Sequence, residues 1–224
     1  MESIPQQDEQ EVSVPAEKVK LKGQLSLPEH STGIVLFAHG SGSGRHSPRN
    51  IYVARTLASA GLATLLFDLL TEDEEKQDSY SGRFRFDVAL LGRRLVSGSD
   101  WIRSNPATKS LPVGYFGSST GAAAAIIAAT ERSDTVGAIV CRGGRVDLAG
   151  PALLHVKAPT LLIVGGKDTP VLAINREAMG KIAAEKQLVV VPGASHLFEE
   201  PGALAEVAHL AANWFILHLS KAEK

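Results

Sequence analysis

A serine framed by glycines, Gly117-Ser118-Ser119-Thr120-Gly121, lies between an apolar run and a stretch rich in alanine. The run before it, residues 111–116, is typical of a short buried strand, and residues 122–129 are typical of a helix. A chain that passes from strand to helix within so few residues needs glycine on both sides of the turn, because larger side chains would collide there. The pattern predicts a sharp strand–turn–helix with Ser119 at its tip, which is the arrangement that exposes a nucleophile.

Two later segments contain the partners that a nucleophilic serine requires. One apolar run leads into Gly165-Gly166-Lys167-Asp168, and another leads into Gly193-Ala194-Ser195-His196. A serine hydroxyl attacks a carbonyl only when an imidazole takes its proton, and a carboxylate holds that imidazole in the correct tautomer. All three candidates follow the carboxyl end of a predicted strand, where open parallel sheets carry their sites. The sequence therefore predicts a catalytic triad of Ser119, Asp168 and His196.

A glycine-rich segment, His39-Gly40-Ser41-Gly42-Ser43-Gly44, follows an earlier apolar run at residues 33–38. Glycines allow backbone N–H groups to approach a substrate oxygen, and stabilising an oxyanion requires such donors. We expect the two donors of an oxyanion hole to be the amides of Ser41 and Thr120. His39 is expected to fix this loop by hydrogen bonds rather than to transfer protons.

These four segments together resemble the α/β-hydrolase superfamily, and within it the dienelactone-hydrolase-like branch of small members without a cap domain. The resemblance covers residues 19–219. It implies an α/β-hydrolase fold and a serine hydrolase that cleaves small carboxylic esters or lactones through an acyl-enzyme, without cofactor or metal. Dienelactone hydrolases themselves carry cysteine as the nucleophile, where this sequence has Ser119. Two alternatives remain: an acyltransferase or thioesterase on the same triad, and a non-catalytic ligand-binding member of the fold.

Apolar runs and helical patterns alternate along the chain, which indicates a mostly parallel, doubly wound sheet with helices on both faces. Strands are expected at residues 34–38, 63–67, 113–116, 136–140, 161–164 and 188–191. Besides the helix after the turn, helices are expected at residues 48–60, 86–104, 171–184 and 201–219. Residues 12–27 suit an antiparallel N-terminal edge, residues 1–11 a disordered leader, and residues 12–224 a single domain.

Two connecting segments decide whether a cap is expected. Cap domains in this superfamily usually follow the strand that comes after the helix of the Ser119 turn, and the corresponding link here is residues 142–158. The other long excursion is residues 69–85. Both are too short for a helical lid, so the sequence predicts an open, shallow pocket that favours short acyl chains.

Several residues have structural alternatives to these functional roles. Asp168 would also serve as the cap of the following helix, and Asp68, which ends another predicted strand, is the reserve candidate for the triad acid. His196 has the alternative of a loop histidine with satisfied hydrogen bonds. Cys141 ends a predicted buried strand and is expected in the core.

Arginines near the predicted pocket raise the possibility of an anionic substrate. Arg45 and Arg142 are candidates to bind a substrate carboxylate, because each lies close after a predicted strand end. The alternative is salt bridging between loops with Asp68 or Asp147. Two further arginines share both interpretations: Arg49 and Arg145.

Composition limits the remaining functional classes. The chain of 224 residues has 23 basic and 24 acidic residues, which argues against an electrostatic nucleic-acid binder. Its single cysteine excludes an internal disulfide, its acidic N-terminus does not resemble a signal peptide, and no apolar run is long enough for a membrane helix. We expect a cytoplasmic protein with a small-molecule ester substrate and no nucleic-acid or membrane partner; the oligomeric state is left open.

Overall fold

An eight-stranded sheet runs through the computed structural model, which describes residues 9–219. Along the chain its strands are β1 (Glu9–Ala16), β2 (Val19–Ser26), β3 (Ile34–Ala38), β4 (Ala63–Phe67), β5 (Val113–Ser118), β6 (Val136–Arg142), β7 (Thr160–Gly165) and β8 (Lys186–Val191). In space they follow the order β1-β2-β4-β3-β5-β6-β7-β8. The β1–β2 and β2–β4 pairs are antiparallel and every other pair is parallel. The predicted mostly parallel sheet with an antiparallel N-terminal edge is confirmed.

The central strands are buried along their whole length. Every residue of β3, β4, β5 and β7 is buried, which is why their sequences are continuous apolar runs rather than alternating ones. β2 alternates between exposed and buried positions over its first half, as expected of a strand near a solvated edge. The parallel strands therefore place their carboxyl ends together at one buried edge of the sheet.

Six helices surround the sheet. They are α1 (Pro48–Ser59), α2 (Glu72–Ser81), α3 (Val88–Ser104), α4 (Thr120–Glu131), α5 (Thr169–Lys181) and α6 (Ala203–Leu219). α1 and α6 contribute to the core on one face of the sheet, and α3, α4 and α5 contribute to the core on the other. No helix within the described part of the chain combines the length and apolar character needed to cross a bilayer.

The N-terminal boundary differs from the prediction of a leader over residues 1–11. β1 begins at Glu9, and its first residues pair with β2 in the register Glu9 to Ser26 and Glu11 to Gln24. Backbone pairing overrides the polar composition that suggested disorder, because an edge strand with one solvated face tolerates polar side chains. The rest of the predicted leader, residues 1–8, lies outside the described residues.

Both links that the sequence indicated were too short for a helical lid contain a short helical segment, which the sequence analysis did not predict. α2 occupies most of residues 69–85, and a 3₁₀ segment, Val146–Leu154, occupies the link after β6. α2 has no apolar stripe and depends instead on its ends. Thr71 and Glu74 form a reciprocal capping box at its start.

A buried arginine fastens α2 to the rest of the molecule. Arg94 of α3 is 4% exposed and donates to Glu74 at 2.9 Å and to the carbonyl of Ala16 at 3.1 Å. One carboxylate oxygen of Glu74 accepts from the backbone of Thr71, and the other binds Arg94. This network joins the end of β1, the start of α2 and the middle of α3.

Candidate active site

Ser119 occupies the turn between β5 and α4. Its backbone angles, φ 51° and ψ −121°, are ones that residues other than glycine seldom adopt. A Cβ added to Gly117 would come within 2.5 Å of Ala122 Cα, and one added to Gly121 would come within 2.0 Å of the Ala38 carbonyl oxygen. Both glycines are therefore required where the helix presses back onto the sheet, as the sequence predicted. The turn presents the Ser119 side chain at the carboxyl edge of the central strand.

The turn that follows β6 holds the backbone of Ser119 from both sides. The Ser119 amide donates to the carbonyl of Arg142 at 3.1 Å, and the amide of Arg145 donates to the carbonyl of Ser119 at 3.0 Å. The buried side chain of Asn175 on α5 donates to the Gly144 carbonyl at 2.8 Å and so anchors the same turn. Sequence reasoning missed Asn175, because nothing local to residue 175 relates it to the nucleophile.

His196 and Asp168 are joined by a hydrogen bond. Nδ1 of His196 lies 2.6 Å from Oδ2 of Asp168, and the Asp168 side chain is 11% exposed. Asp168 stands at the N-cap position of α5 but makes no capping hydrogen bond with its side chain. Its carboxylate is thus committed to the histidine rather than to the helix, in contrast to the structural alternative.

The turn after β6 lies between His196 and the backbone of Ser119. Gly143, at φ 53°, lies against the His196 ring, because a Cβ there would come within 3.3 Å of Nδ1 and Cε1. Ser119 and His196 therefore border the same short turn. The Ser119 hydroxyl makes no hydrogen bond to His196 among residues 9–219, and such contacts are commonly long before a substrate binds.

The loop that carries His196 is closed by a glutamate that sequence reasoning did not single out. Both carboxylate oxygens of Glu200 accept from the Ser195 amide at 3.0 Å, and Oε2 also lies 3.3 Å from the Ser195 hydroxyl. The hydrogen bond from the Ser195 backbone lowers the pKa of Glu200 below its ordinary value. A charged acceptor therefore fixes the residue immediately before the histidine.

The loop after β3 lies directly against the nucleophile. A Cβ on Gly40 would come within 3.0 Å of Ser119 Cβ and 3.1 Å of the Ser118 carbonyl oxygen, so a larger residue would push the two segments apart. The amide of Ser41 donates to the side-chain oxygen of Thr120 at 3.0 Å. Both predicted oxyanion donors thus lie beside the nucleophile, and one of them already has an acceptor within the protein.

His39 fixes this loop, as predicted. Its Nε2 accepts from the amide of Leu69 at 2.9 Å, and its Nδ1 lies 3.1 Å from the carbonyl of Gly40, to which it donates. Accepting at Nε2 requires the neutral ring, and burial accordingly lowers the pKa of His39. Both ring nitrogens are used, so His39 is a structural part of the loop.

A pocket of about 740 Å³ lies on the outer side of this loop, which contacts Ser119 through Gly40. Its walls are the loop after β3, the end of β4 and the acidic α2, which contributes Glu72, Glu75 and Asp78. Burial raises the pKa of Glu75, and the neighbouring carboxylates of Asp68 and Glu72 raise it further. The lining of this pocket is strongly charged, and it includes none of Ser119, Asp168 and His196.

Three of the four candidate arginines are paired with carboxylates. Arg45 lines the pocket and binds Asp68 through its guanidinium, and its amide donates to the same carboxylate at 2.8 Å. Arg145 binds Asp147 at 2.8 Å. Arg49 pairs with the exposed Glu199 at 3.3 Å. The salt-bridging alternative accounts for these contacts, and Asp68 serves Arg45 rather than the histidine.

Arg142 does not face the pocket mouth where the sequence placed it. Its side chain is 7% exposed and lies over the Phe116 ring, with the guanidinium carbon 5.9 Å from the ring centroid. Alternation along β6 explains this, because the preceding Cys141 points into the core on the α4 face and Arg142 points to the opposite face. Burial lowers the pKa of Arg142 to about 10, which leaves it charged at neutral pH.

The described residues provide neither of two other kinds of site, a reactive cysteine or a metal centre. Cys141 is buried in the core as expected, and burial raises its thiol pKa to about 12. Within residues 9–219 no three histidine, cysteine or acidic side chains are grouped so as to hold a metal ion.

Residues 21–215 match the model of the dienelactone hydrolase family. A crystal structure of a dienelactone hydrolase from Anabaena variabilis superimposes with a TM-score of 0.93 at 60% sequence identity, covering 95% of this chain and 98% of that one. An esterase of Pyrococcus furiosus superimposes with a TM-score of 0.73 at 18% identity, covering 95% of this chain and 92% of its own, and shares the fold. The sheet order and helix placement are those of the α/β-hydrolase fold.

A Mycobacterium tuberculosis protein named "Putative phosphoribosyl transferase" is 56% identical over 215 residues. The match covers 96% of this chain and 47% of that protein. The chain thus spans about half the length of the curated relatives that it matches at this identity.

Proposed function

The chain belongs to the dienelactone hydrolase family, and from that premise we propose that it is a serine hydrolase that cleaves small carboxylic esters or lactones through an acyl-enzyme. The observation that carries the proposal is the 2.6 Å contact between His196 Nδ1 and Asp168 Oδ2 beside a serine at φ 51°. A carboxylate on Nδ1 leaves Nε2 as the nitrogen that accepts a proton. A strained serine at a strand–helix turn is the corresponding nucleophile.

In this mechanism Ser119 attacks the carbonyl carbon while His196 Nε2 takes its proton. The carbonyl oxygen becomes an oxyanion at the N-terminus of α4, stabilised by the Thr120 amide and the loop that contains Ser41. Nε2 then protonates the leaving alcohol as the C–O bond breaks. Water, deprotonated by the same nitrogen, attacks the acyl-enzyme and releases the acid.

We propose that the acyl group enters the pocket beside the loop after β3, which reaches Ser119 through Gly40, and the expected acyl specificity follows from that. Leu70 and Leu91 are the large apolar side chains that line this pocket, between charged residues of α2 and the loop after β3. Each methylene gains about 0.8 kcal/mol only where apolar surface covers it. We therefore propose that kcat/KM peaks between acetate and butyrate esters and falls by octanoate, and a maximum at decanoate or beyond would contradict this.

The transferase name of the mycobacterial relative belongs to a protein of which this chain matches 47%. The Asp168–His196 pair beside Ser119 fits acyl transfer to water, whereas the name implies transfer of a phosphoribosyl group. We therefore propose hydrolysis for this chain. Incubating it with phosphoribosyl diphosphate and a panel of acceptors, and measuring pyrophosphate release, tests the alternative directly.

Replacement of the nucleophile tests the proposal. Ser119→Ala should abolish hydrolysis of p-nitrophenyl acetate and labelling by a fluorophosphonate, while thermal unfolding stays near that of the natural sequence. In a comparable triad, loss of the serine costs about 10⁶ in turnover and loss of the acid about 10⁴, so Asp168→Asn should be the milder change. Full activity of Ser119→Ala, or labelling of another serine, would overturn the assignment.

A further inference from the structure

The Thr120 hydroxyl binds one of the two amides that are expected to stabilise an oxyanion and belongs to the same residue as the other. Its Oγ1 accepts from the Ser41 amide at 3.0 Å, and Thr120 is the first residue of α4, directly after the nucleophile. The residue is only 3% exposed. The Ser41 amide therefore has a protein acceptor before any substrate enters.

Only part of the hydrogen-bonding capacity of this hydroxyl is used. A threonine hydroxyl accepts at its lone pairs and also donates one proton. Among residues 9–219 it accepts from Ser41, and its own proton has no acceptor. Buried polar groups nearly always find a partner, so a buried donor left unused beside a nucleophile points to a ligand atom.

We propose that the Thr120 hydroxyl donates a hydrogen bond to the oxyanion and thereby acts as a catalytic residue. This proposal rests on the hydrolase function proposed above. The Ser41 amide donates to Oγ1 and polarises the hydroxyl, which strengthens the bond from its proton to the substrate oxygen. The Ser41 amide thus acts through Thr120, whereas the sequence suggested that it contacts the oxygen directly.

The surrounding backbone holds this arrangement ready. Ser119 makes no side-chain capping bond to α4, so its side chain takes none of the amides at the helix N-terminus, where the dipole favours a developing negative charge. The contact of Gly40 with Ser119 and the bonds of His39 keep the Ser41 segment in place. Donors that need no rearrangement during the reaction are the ones that contribute most to catalysis.

Paired variants of Thr120 test the role of the hydroxyl. Thr120→Val keeps the shape of the side chain and removes the hydroxyl, and Thr120→Ser keeps the hydroxyl. With p-nitrophenyl acetate, the valine variant should lose about 10²-fold in kcat with little change in KM, as expected for one oxyanion donor, while the serine variant stays within a few fold. Rates are expressed per site titrated to completion with a fluorophosphonate, so that incomplete folding does not imitate a loss of catalysis.

An inhibitor provides a second measurement that a structural role would not move. A trifluoromethyl ketone forms a hemiketal oxyanion with the serine, so its Ki should rise in Thr120→Val by the factor by which kcat/KM falls. If the valine variant keeps the kcat of the natural sequence, or if the serine variant falls as far as valine, the proposed role of Thr120 is wrong. Ser119→Ala in the same assay separates the two proposals, because activity retained there would overturn the hydrolase itself.

Discussion

The amide of Ser119 donates to the carbonyl of Arg142, so the turn after β5 is held by the end of the neighbouring strand β6. A non-glycine residue at φ 51° is strained by about 1–3 kcal/mol, and it persists only where its surroundings determine it. The second bond, from the Arg145 amide to the Ser119 carbonyl, completes that support. Since Gly143 of the same turn also contacts His196, one short segment borders both Ser119 and His196.

Substitution of Gly121 by alanine should destabilise the protein by about 3 kcal/mol or more, because its Cβ would come within 2.0 Å of the Ala38 carbonyl oxygen. Gly180, near the end of α5, is the matched control because no atom lies within 4 Å of its Cβ position. Gly180→Ala should be neutral or stabilising by about 0.5–1 kcal/mol. Urea unfolding of the two variants measures the difference, and equal midpoints would show that α4 can move away from the sheet.

Glu200→Ala should lower kcat by about tenfold to a hundredfold, because the Ser195 amide loses its acceptor and the adjacent His196 shifts. Glu200→Gln keeps one acceptor oxygen and should lie between. The neighbouring Glu199 is the control, since its side chain is 65% exposed and makes only a 3.3 Å pair with Arg49. Steady-state kinetics that show the same loss for Glu199→Ala and Glu200→Ala would refute a specific role for the loop closure.

Arg45→Ala should reduce hydrolysis of neutral and anionic esters by the same factor. The guanidinium is already bound to Asp68, so it is not available to a substrate carboxylate. Removal of one partner of this mostly buried pair should also destabilise the fold by about 3 kcal/mol. The measurement is the ratio of kcat/KM for p-nitrophenyl butyrate and p-nitrophenyl hemisuccinate. A selective loss with the hemisuccinate would restore Arg45 as a binding residue.

Protein stability should fall as the pH drops below about 6.5, partly because of His39. Burial lowers the pKa of His39 in the folded protein below its ordinary value of 6.5, so the unfolded chain takes up this proton first. The contribution is complete above pH 6.5 and is lost toward the lowered pKa, with a slope of at most about 1.4 kcal/mol per pH unit. Urea unfolding between pH 7.5 and 5 should show a smaller fall for His39→Gln, and parallel curves would exclude this origin.

The strands could be predicted well because burial on both faces leaves a local signature. β3 and β4 have the predicted bounds, and the other parallel strands extend the predicted ranges by one or two residues. Helix positions followed for the same reason, from apolar residues at helical spacing. α2 was missed because its sequence is polar throughout and carries no such spacing. Its one local signal was Thr71 followed by Glu74 three residues later, which is a capping box.

The candidate site was only partly predictable. The candidate triad could be predicted because each member follows the end of a strand: Ser119, Asp168 and His196. The glycines on either side of Ser119 indicate in the sequence that the turn has no room for side chains. The contacts of Thr120 with Ser41 and of Asn175 with Gly144 join residues far apart in the chain. The buried orientation of Arg142 depends on which face of β6 each residue takes at the strand end. Such contacts are settled by the assembled fold, which no local pattern encodes.

Arg94 links the β1–β2 hairpin, at the edge of the sheet, to α2. The hairpin end supplies the Ala16 carbonyl that Arg94 binds, and Arg94 in turn holds the capping glutamate of α2, which lines the pocket. Shortening the domain by this hairpin would remove the Ala16 carbonyl and leave the buried guanidinium of Arg94 without that acceptor. Trimming would also weaken the hold on α2, which forms one wall of the pocket, so the hairpin helps to set the shape of a cavity that it does not line.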